Sequence, residues 1–191
     1  VTQSRADLFE SFVPTAELVF MEDSLTQEAE WGDMLPGWSV ANRGIAGDGV
    51  DDLALRWRSI LKMNPARVYV MVGVNDVLAG TRIEDIVSSH RELLRVMGRQ
   101  GLTVVVQATV RCNVNVCGSA SVSRINLLNA KLEVLARDEG AMFLDLGDLI
   151  NPEGLPASYS CDGVHLSASG YKEWLKHLTE HVSQLDGPES P

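Results

Sequence analysis

Residues 67–76 read RVYVMVGVND, with no charged side chain from Val68 through Val74. A strand that is apolar at every position has both faces covered, which is the condition of a parallel sheet sandwiched between helices. An antiparallel sheet with one wet face would alternate polar and apolar residues instead. This is the longest apolar run in the chain, far short of the roughly 18 residues that a membrane-spanning helix needs, so no span and no anchor are expected. Outward from Arg67–Val72, similar short, β-branched runs occur at Leu18–Met21, Trp38–Asn42, Thr103–Thr109 and Met142–Leu146. Helix-period segments lie between them, and that alternation predicts an α/β fold with a five-stranded parallel sheet.

The intervening segments carry the 3.6-residue repeat. Val50, Leu53, Ala54, Trp57, Ile60 and Leu61 form one stripe, with Asp51 and Asp52 at the positive end of the helix dipole. Thr81 and Glu84 stand at capping-box spacing ahead of Ile83, Ile86, Val87, Leu93, Leu94 and Met97. His90 falls on that stripe and reads as a hydrogen-bonded boundary residue. A third helix is expected over Ser121–Glu139, buried through Ile125, Leu128, Leu132 and Leu135 and stopped by Gly140. A fourth is expected over Ala168–Val182, with His177 and His181 on a solvated face beside Lys176 and Glu180. No repeat or linker interrupts residues 1–191, so one domain is expected, with Leu185–Pro191 a frayed polar tail.

The balance of 16 Lys and Arg against 26 Asp and Glu gives a formal net charge of −10 over 191 residues. A chain so acidic, with its cations scattered singly, is a poor partner for nucleic acid or an anionic membrane. Forty-five per cent apolar and 22 per cent charged residues exclude disordered and collagen-like classes. Cys112 and Cys117 are close enough to bridge in an oxidising compartment, the alternative being two free thiols, and Cys161 is left over. Cys161 has no Cys or His at metal-ligand spacing, and His177 and His181, four apart as a metal pair could be, read instead as a solvated pair, so neither metal nor cofactor is expected. No basic stretch leading into an apolar one follows Val1, so a signal segment is expected to have been removed or never to have existed, and an extracytoplasmic site, periplasmic or secreted, is favoured slightly over the cytoplasm. Oligomeric state is left open.

In an open parallel sheet, ligands sit beyond the carboxyl ends of the strands. Four loops there carry chemistry: Glu22-Asp23-Ser24-Leu25-Thr26, Asn42 through Asp48, Gly73-Val74-Asn75-Asp76, and Asp162-Gly163-Val164-His165. A serine hydroxyl is nearly inert at neutral pH until a base takes its proton, and imidazole has the right pKa for that exchange. Asp162, three residues before His165, can hold the far ring nitrogen and stabilise the imidazolium. Asn75 can supply a side-chain amide, and Gly47 and Ser24 backbone N–H groups, to an oxyanion, each such donor being worth roughly 3 kcal/mol. Arg111 and Asn113, just past the fourth strand, are candidate contacts for a polar substrate.

From about Leu8 to Leu178 the sequence resembles the SGNH or GDSL-type serine esterases and acylhydrolases. Asp23-Ser24-Leu25 matches the Gly-Asp-Ser-Leu block, Asn42–Asp48 the glycine turn, Gly73, Asn75 and Asp76 the Gly-x-Asn-Asp block, and Asp162 and His165 the Asp-x-x-His block. The resemblance implies a flavodoxin-like three-layer α/β/α sandwich. It implies Ser24 as nucleophile, His165 and Asp162 as its partners, and Gly47 and Asn75 as oxyanion donors. The expected activity is hydrolysis of a short acyl ester, acetyl above all, of an alcohol or carbohydrate. The alternatives are an O-acetyltransferase acting on a cell-surface polysaccharide and a weakened carbohydrate-binding relative.

That last alternative rests on Glu22, which stands where the family has glycine. Were that turn to need positive φ, a side chain there would be strained, and a carboxylate beside the nucleophile would oppose the oxyanion. Glu22 is therefore expected to brake catalysis, so that Glu22→Gly speeds it, or else to touch substrate.

Overall fold

In the computed structural model, residues 2–185 are described. Five strands, β1 (Leu18–Glu22), β2 (Val40–Asn42), β3 (Arg67–Met71), β4 (Val104–Gln107) and β5 (Met142–Leu144), form one parallel sheet in the order β2-β1-β3-β4-β5. The helices are α1 (Thr2–Ser11), α2 (Ser24–Gln27), α3 (Trp31–Met34), α4 (Val50–Arg56), α5 (Arg58–Leu61), α6 (Val74–Leu78), α7 (Ile83–Arg99), α8 (Val114–Asp138) and α9 (Ala168–Leu185).

The two-residue repeat of a strand sorts the core into two layers. Val19, Met21, Val68, Val70, Val104 and Val106 point to one face, where α4, α5, α7 and α8 cover them through Leu53, Ile60, Ile86 and Leu128. Leu18, Phe20, Tyr69, Met71, Val105 and Leu144 point to the other, under Trp31 of α3 and Trp174 and Leu178 of α9. Phe20 lies stacked between Trp31 and Tyr69, at 3.9 and 4.7 Å between ring centroids. The expected three-layer α/β/α sandwich is thus present. Among the described residues no helix is long and apolar enough to cross a membrane.

All five expected strands are found, and the differences lie at their ends. β4 stops at Gln107 because Asn129 of α8 takes over from the sheet: its Oδ1 accepts the Thr109 N–H at 2.8 Å and its Nδ2 donates to the Thr109 carbonyl at 2.9 Å. The expected helix over Val50–Leu61 is divided at Trp57. The capping box at Thr81 and Glu84 does not form, since α7 begins after Arg82 with no side-chain cap. Arg124 instead donates to the Thr81 carbonyl. The third helix reaches back to Val114, but Gly118 (φ +78°) breaks it there, and Gly140 (φ +71°) follows its end as expected. Leu185 closes α9, and the rest of the expected tail, 186–191, lies outside the described residues.

Two histidine expectations need correction. His177 and His181 are half-buried rather than solvated: His177 Nε2 is 3.0 Å from Glu173, and His181 Nδ1 is 3.4 Å from the Tyr69 hydroxyl. His90 lies fully inside the core, not at its boundary, with Nδ1–H donated to the Ile86 carbonyl at 2.9 Å. Burial holds its pKa down to about 4. Unfolded, it takes a proton near pH 6.5, so the unfolded chain binds more protons between those values and stability falls as pH drops through that window. The loss reaches about 3 kcal/mol by pH 4. The measurement is the difference in unfolding free energy between wild type and His90→Asn from pH 7 to pH 4, which should shrink as the solution is acidified. A constant difference would place the titration elsewhere.

Cys112 and Cys117 are bridged, with their Cα atoms 6.2 Å apart, and Cys161 is free and exposed. Thiol counting on denatured, unreduced protein should return a single free thiol; a count of three would exclude the bridge.

Candidate active site

Parallel strand order reverses between β1 and β3, so the loops leaving their carboxyl ends diverge and leave a crevice. β1 ends at Glu22, and Asp23 caps α2, accepting the Leu25 N–H on Oδ1 at 3.0 Å. Ser24 therefore heads α2, where a backbone N–H has no carbonyl one turn back to bond. The chain after β2 approaches this turn very closely. A Cβ on Gly44 would lie 2.4 Å from the Gln27 nitrogen and 2.8 Å from the Asp23 carbonyl, so only glycine fits. Gly47 follows, exposed and at φ +87°.

Beyond β3, Asn75 donates from Nδ2 to the Asp48 carbonyl at 3.0 Å. That bond uses one of its two amide hydrogens and fixes the direction of the other. The fourth segment enters from between β5 and α9. His165 Nε2 lies 3.1 Å from Ser24 Oγ, and His165 Nδ1 lies 2.7 Å from Asp162 Oδ2. Asp162 Oδ1 accepts the N–H groups of Val164 and His165 at 2.9 and 2.8 Å, so the carboxylate is anchored by its own turn. The hydrogen bond from His165, helped by those two N–H groups, holds Asp162 far below the usual carboxylate range. For His165, partial burial favours the neutral ring, yet Asp162, Glu28 and Asp23 outweigh it and raise the pKa above the ordinary imidazole value.

The floor of the site is acidic and buried, with Asp23 and Asp48 both out of reach of solvent. Burial pushes the Asp23 carboxyl up to about 7, against the Leu25 N–H and the pull of His165, with Asp48 and Asp76 adding to the rise. Arg56 is the residue that sequence reading missed. From the end of α4, it pairs with Asp48 at 2.8 Å and donates to the carbonyls of Arg43 at 2.6 Å and Glu22 at 3.0 Å. It thereby ties the glycine turn to the end of β1. In sequence it is one more cation at a helix end, and nothing local signals that it points inward.

Of the three candidate contacts, Glu22 and Arg111 are buried and Asn113 is half-buried beside the Asp162–His165 turn. Glu22 is fully buried inside β1, and among the described residues only Asn64 has a positive φ without being glycine, so no strained turn exists at Glu22. Its carboxyl receives Thr26 Oγ and the Gln107 amide, and Gln107 Oε1 accepts the Trp174 indole N–H at 2.8 Å. Arg111 is buried, with Nε on Asn126 and its pKa lowered to about 10 by burial. Asn113 is occupied with the fold: Nδ2 donates to the Leu155 carbonyl at 2.8 Å and Oδ1 accepts the Asn115 N–H at 3.0 Å. Among the described residues, no group of three or more His, Cys, Asp or Glu side chains could hold a metal ion.

Comparison with known proteins places this geometry. No curated protein sequence matches the chain. Among solved structures, a GDSL-like lipase from Bacteroides thetaiotaomicron superposes with a TM-score of 0.81 at 18% identity, covering 96% of this chain and 98% of its own. The acetyl xylan esterase AlAXEase gives 0.75 at 23% identity, covering 86% and 98%. An acetylxylan esterase from Geobacillus stearothermophilus gives 0.72 at 17% identity, covering 90% and 95%. At these identities the likeness is one of fold. The model of the GDSL-like lipase/acylhydrolase family matches residues 21–173, from the end of β1 into α9 and across all four loops that meet at Ser24, so the chain belongs to that family and is a carboxylester hydrolase.

Proposed function

We propose that the protein removes a short acyl group, acetyl in the first instance, from an alcohol or carbohydrate ester by two-step acyl transfer through Ser24. The observation that carries this reading is the continuous hydrogen-bonded series Ser24 Oγ, His165 and Asp162, at 3.1 and 2.7 Å, in the crevice between β1 and β3. Ser24 Oγ attacks the ester carbonyl while His165 Nε2 takes its proton. The oxyanion accepts hydrogen bonds from the N–H groups of Ser24 and Gly47 and from Asn75 Nδ2, which Asp48 has already oriented. Collapse expels the alcohol, protonated by His165, and leaves acyl-Ser24. Water, deprotonated by the same nitrogen, then releases the acid. Acetyl esters of sugars are favoured because two of the structural neighbours are acetyl xylan esterases, one of them solved as a catalytic mutant. The idea of a weakened relative loses its ground, since Glu22 is turned away from the nucleophile.

A fluorophosphonate probe should label Ser24, because such reagents need a serine with a base and an oxyanion pocket. Ser24→Ala should stay folded and unlabelled, and an adduct mapped to a different serine would sink the assignment. Acetylated xylo-oligosaccharides should release free acetate; acyl transfer to a second sugar would instead identify a transferase. The pH dependence has a definite sign. The base must be neutral to act, so kcat/KM should rise with pH through an apparent pKa above the usual 6.5 of histidine. A midpoint below 6.5 would contradict the role of Asp162 in raising it.

A further inference from the structure

The segment between the bridged cysteines touches the Asp162–His165 turn directly. Asn113 donates its N–H to the Gly163 carbonyl at 2.6 Å. A Cβ on Gly163 would lie 2.4 Å from Val116 Cγ2, and at φ +92° the position is conformationally reserved for glycine as well. Gly163 is the middle of the turn. Its N–H goes to Ser160 Oγ at 2.6 Å, the Ser160 hydroxyl donates to the His165 carbonyl at 2.8 Å, and the imidazole contact joins Asp162, just before Gly163, to His165, two residues after it. Any shift of Gly163 therefore moves Asp162 relative to His165.

Asn113 ties the start of this segment to the fold, donating Nδ2 to the Leu155 carbonyl at 2.8 Å, and the turn beyond it is held more loosely. On one side, Cys112 is buried and its carbonyl accepts the Leu155 N–H at 3.1 Å. On the other, the single turn 114–117 meets the rest of α8 only through the non-helical Gly118 (φ +78°). Val114 is 37% and Val116 57% exposed, so only part of their apolar surface holds the turn down. The Cys112–Cys117 bond ties the far end of that turn, next to Gly118, back to the buried Cys112.

We propose that the Cys112–Cys117 bridge is a positioning clamp for the Asp162–Gly163–His165 turn, so that the esterase works at full rate with the bridge closed and is turned down when it is reduced. The proposal rests on the Ser24–His165–Asp162 reading above. The switching step is an ordinary exchange: a dithiol supplies two electrons and two protons, the S–S bond breaks to two thiols, and the dithiol closes to its own disulfide. With the bridge open, the turn 114–117 moves on Gly118, the contacts to Gly163 loosen, and Asp162 no longer holds Nδ1 in register. Misplacement of a catalytic partner by about 1 Å is enough to cost on the order of 10²-fold in rate.

The test is run in a Cys161→Ser background, so that only the bridge can exchange. Oxidised protein, the same protein reduced by a dithiol and then reoxidised, and Cys112→Ala/Cys117→Ala are compared on an acetyl ester. Opening the bridge should lower kcat about tenfold with KM little changed. It should also move the acid limb of kcat/KM to lower pH, because Asp162 then raises the imidazole pKa less while Glu28 and Asp23 still face it. Reoxidation should restore both. Val116→Ala with the bridge intact should move kcat and the acid limb in the same direction, and it decides the matter should the double variant fail to fold. Unchanged kcat and acid limb on reduction, whatever happens to Tm, would make the bridge a stabiliser only and overturn the proposal. Ser24→Ala is assayed alongside. If it is inactive while reduction has no effect, the clamp alone is wrong; if it retains activity, the reading of the site fails first.

Discussion

Asp162→Asn should lower kcat by about 10³- to 10⁴-fold while the fold and KM are kept. The size of the loss follows from which oxygen does what. Oδ1 of Asp162 accepts two backbone N–H groups, from Val164 and His165, and Oδ2 faces His165 Nδ1. An asparagine satisfies that turn only with its carbonyl oxygen in the Oδ1 place, because its amide nitrogen cannot accept a hydrogen bond. The amide N–H groups are then turned toward Nδ1, which must become an acceptor. The ring proton moves to Nε2, and Nε2 can no longer take the proton of Ser24. Since both backbone bonds survive, the unfolding midpoint should change little. Steady-state kinetics beside a thermal melt separate the two effects. A rate within tenfold of wild type would remove Asp162 from the mechanism, and a large fall in Tm would mean that the turn, not the tautomer, had been lost.

The sheet was legible because apolar runs buried on both faces have few alternatives. RVYVMVGVND needs helices above and below it, and the five strands follow from five such runs. Three of the four chemical loops were legible because each follows the carboxyl end of a strand, where a parallel sheet leaves its crevice, and the fourth, Asp162–His165, well past β5, was legible from its Asp-x-x-His spacing. What the sequence hides are contacts made by tertiary approach. Arg56 reads as a solvated helix end, yet it ties Asp48, Arg43 and Glu22 together. Asn129 reads as a polar residue on a helix, yet it finishes β4. The capping box at Thr81 failed because the helix begins one residue later than that spacing assumes, with Arg82 at the N-cap position. Glu22 was misjudged on the assumption that a family glycine marks a strained turn, whereas here the chain is still in the strand.

Glu22→Gly should destabilise the protein by about 3 kcal/mol and lower activity, the reverse of what the crowded-turn reading expects. The glycine would not relieve any backbone strain, because Glu22 lies inside β1, in register with Met71. It would empty the volume of a fully buried side chain. It would also strand the Thr26 hydroxyl and the Gln107 amide, whose acceptor is the Glu22 carboxyl. A buried donor left without a partner costs about 1–3 kcal/mol, and the lost backbone rigidity adds to it. In a chain of this size that is a fall in Tm of roughly 10 °C. Activity follows because Thr26 belongs to the short helix headed by Ser24, and Trp174, bonded to Gln107, belongs to the helix that follows His165. Glu22→Gln is the discriminating variant. Burial raises the Glu22 carboxyl well above its usual pKa, so folding shifts it toward its neutral form, and a glutamine amide matches that form in size and in having one donor and one acceptor end. The unfolded carboxyl ionises near pH 4.5 and the folded one only at higher pH, so wild type loses stability as pH rises past 4.5. The glutamine has no such loss and should gain on wild type as pH increases. Melts of wild type and Glu22→Gln from pH 4 to pH 8 check this; a Gln variant that falls further behind at high pH would mean that the buried carboxylate is charged and that the network is built to hold the charge.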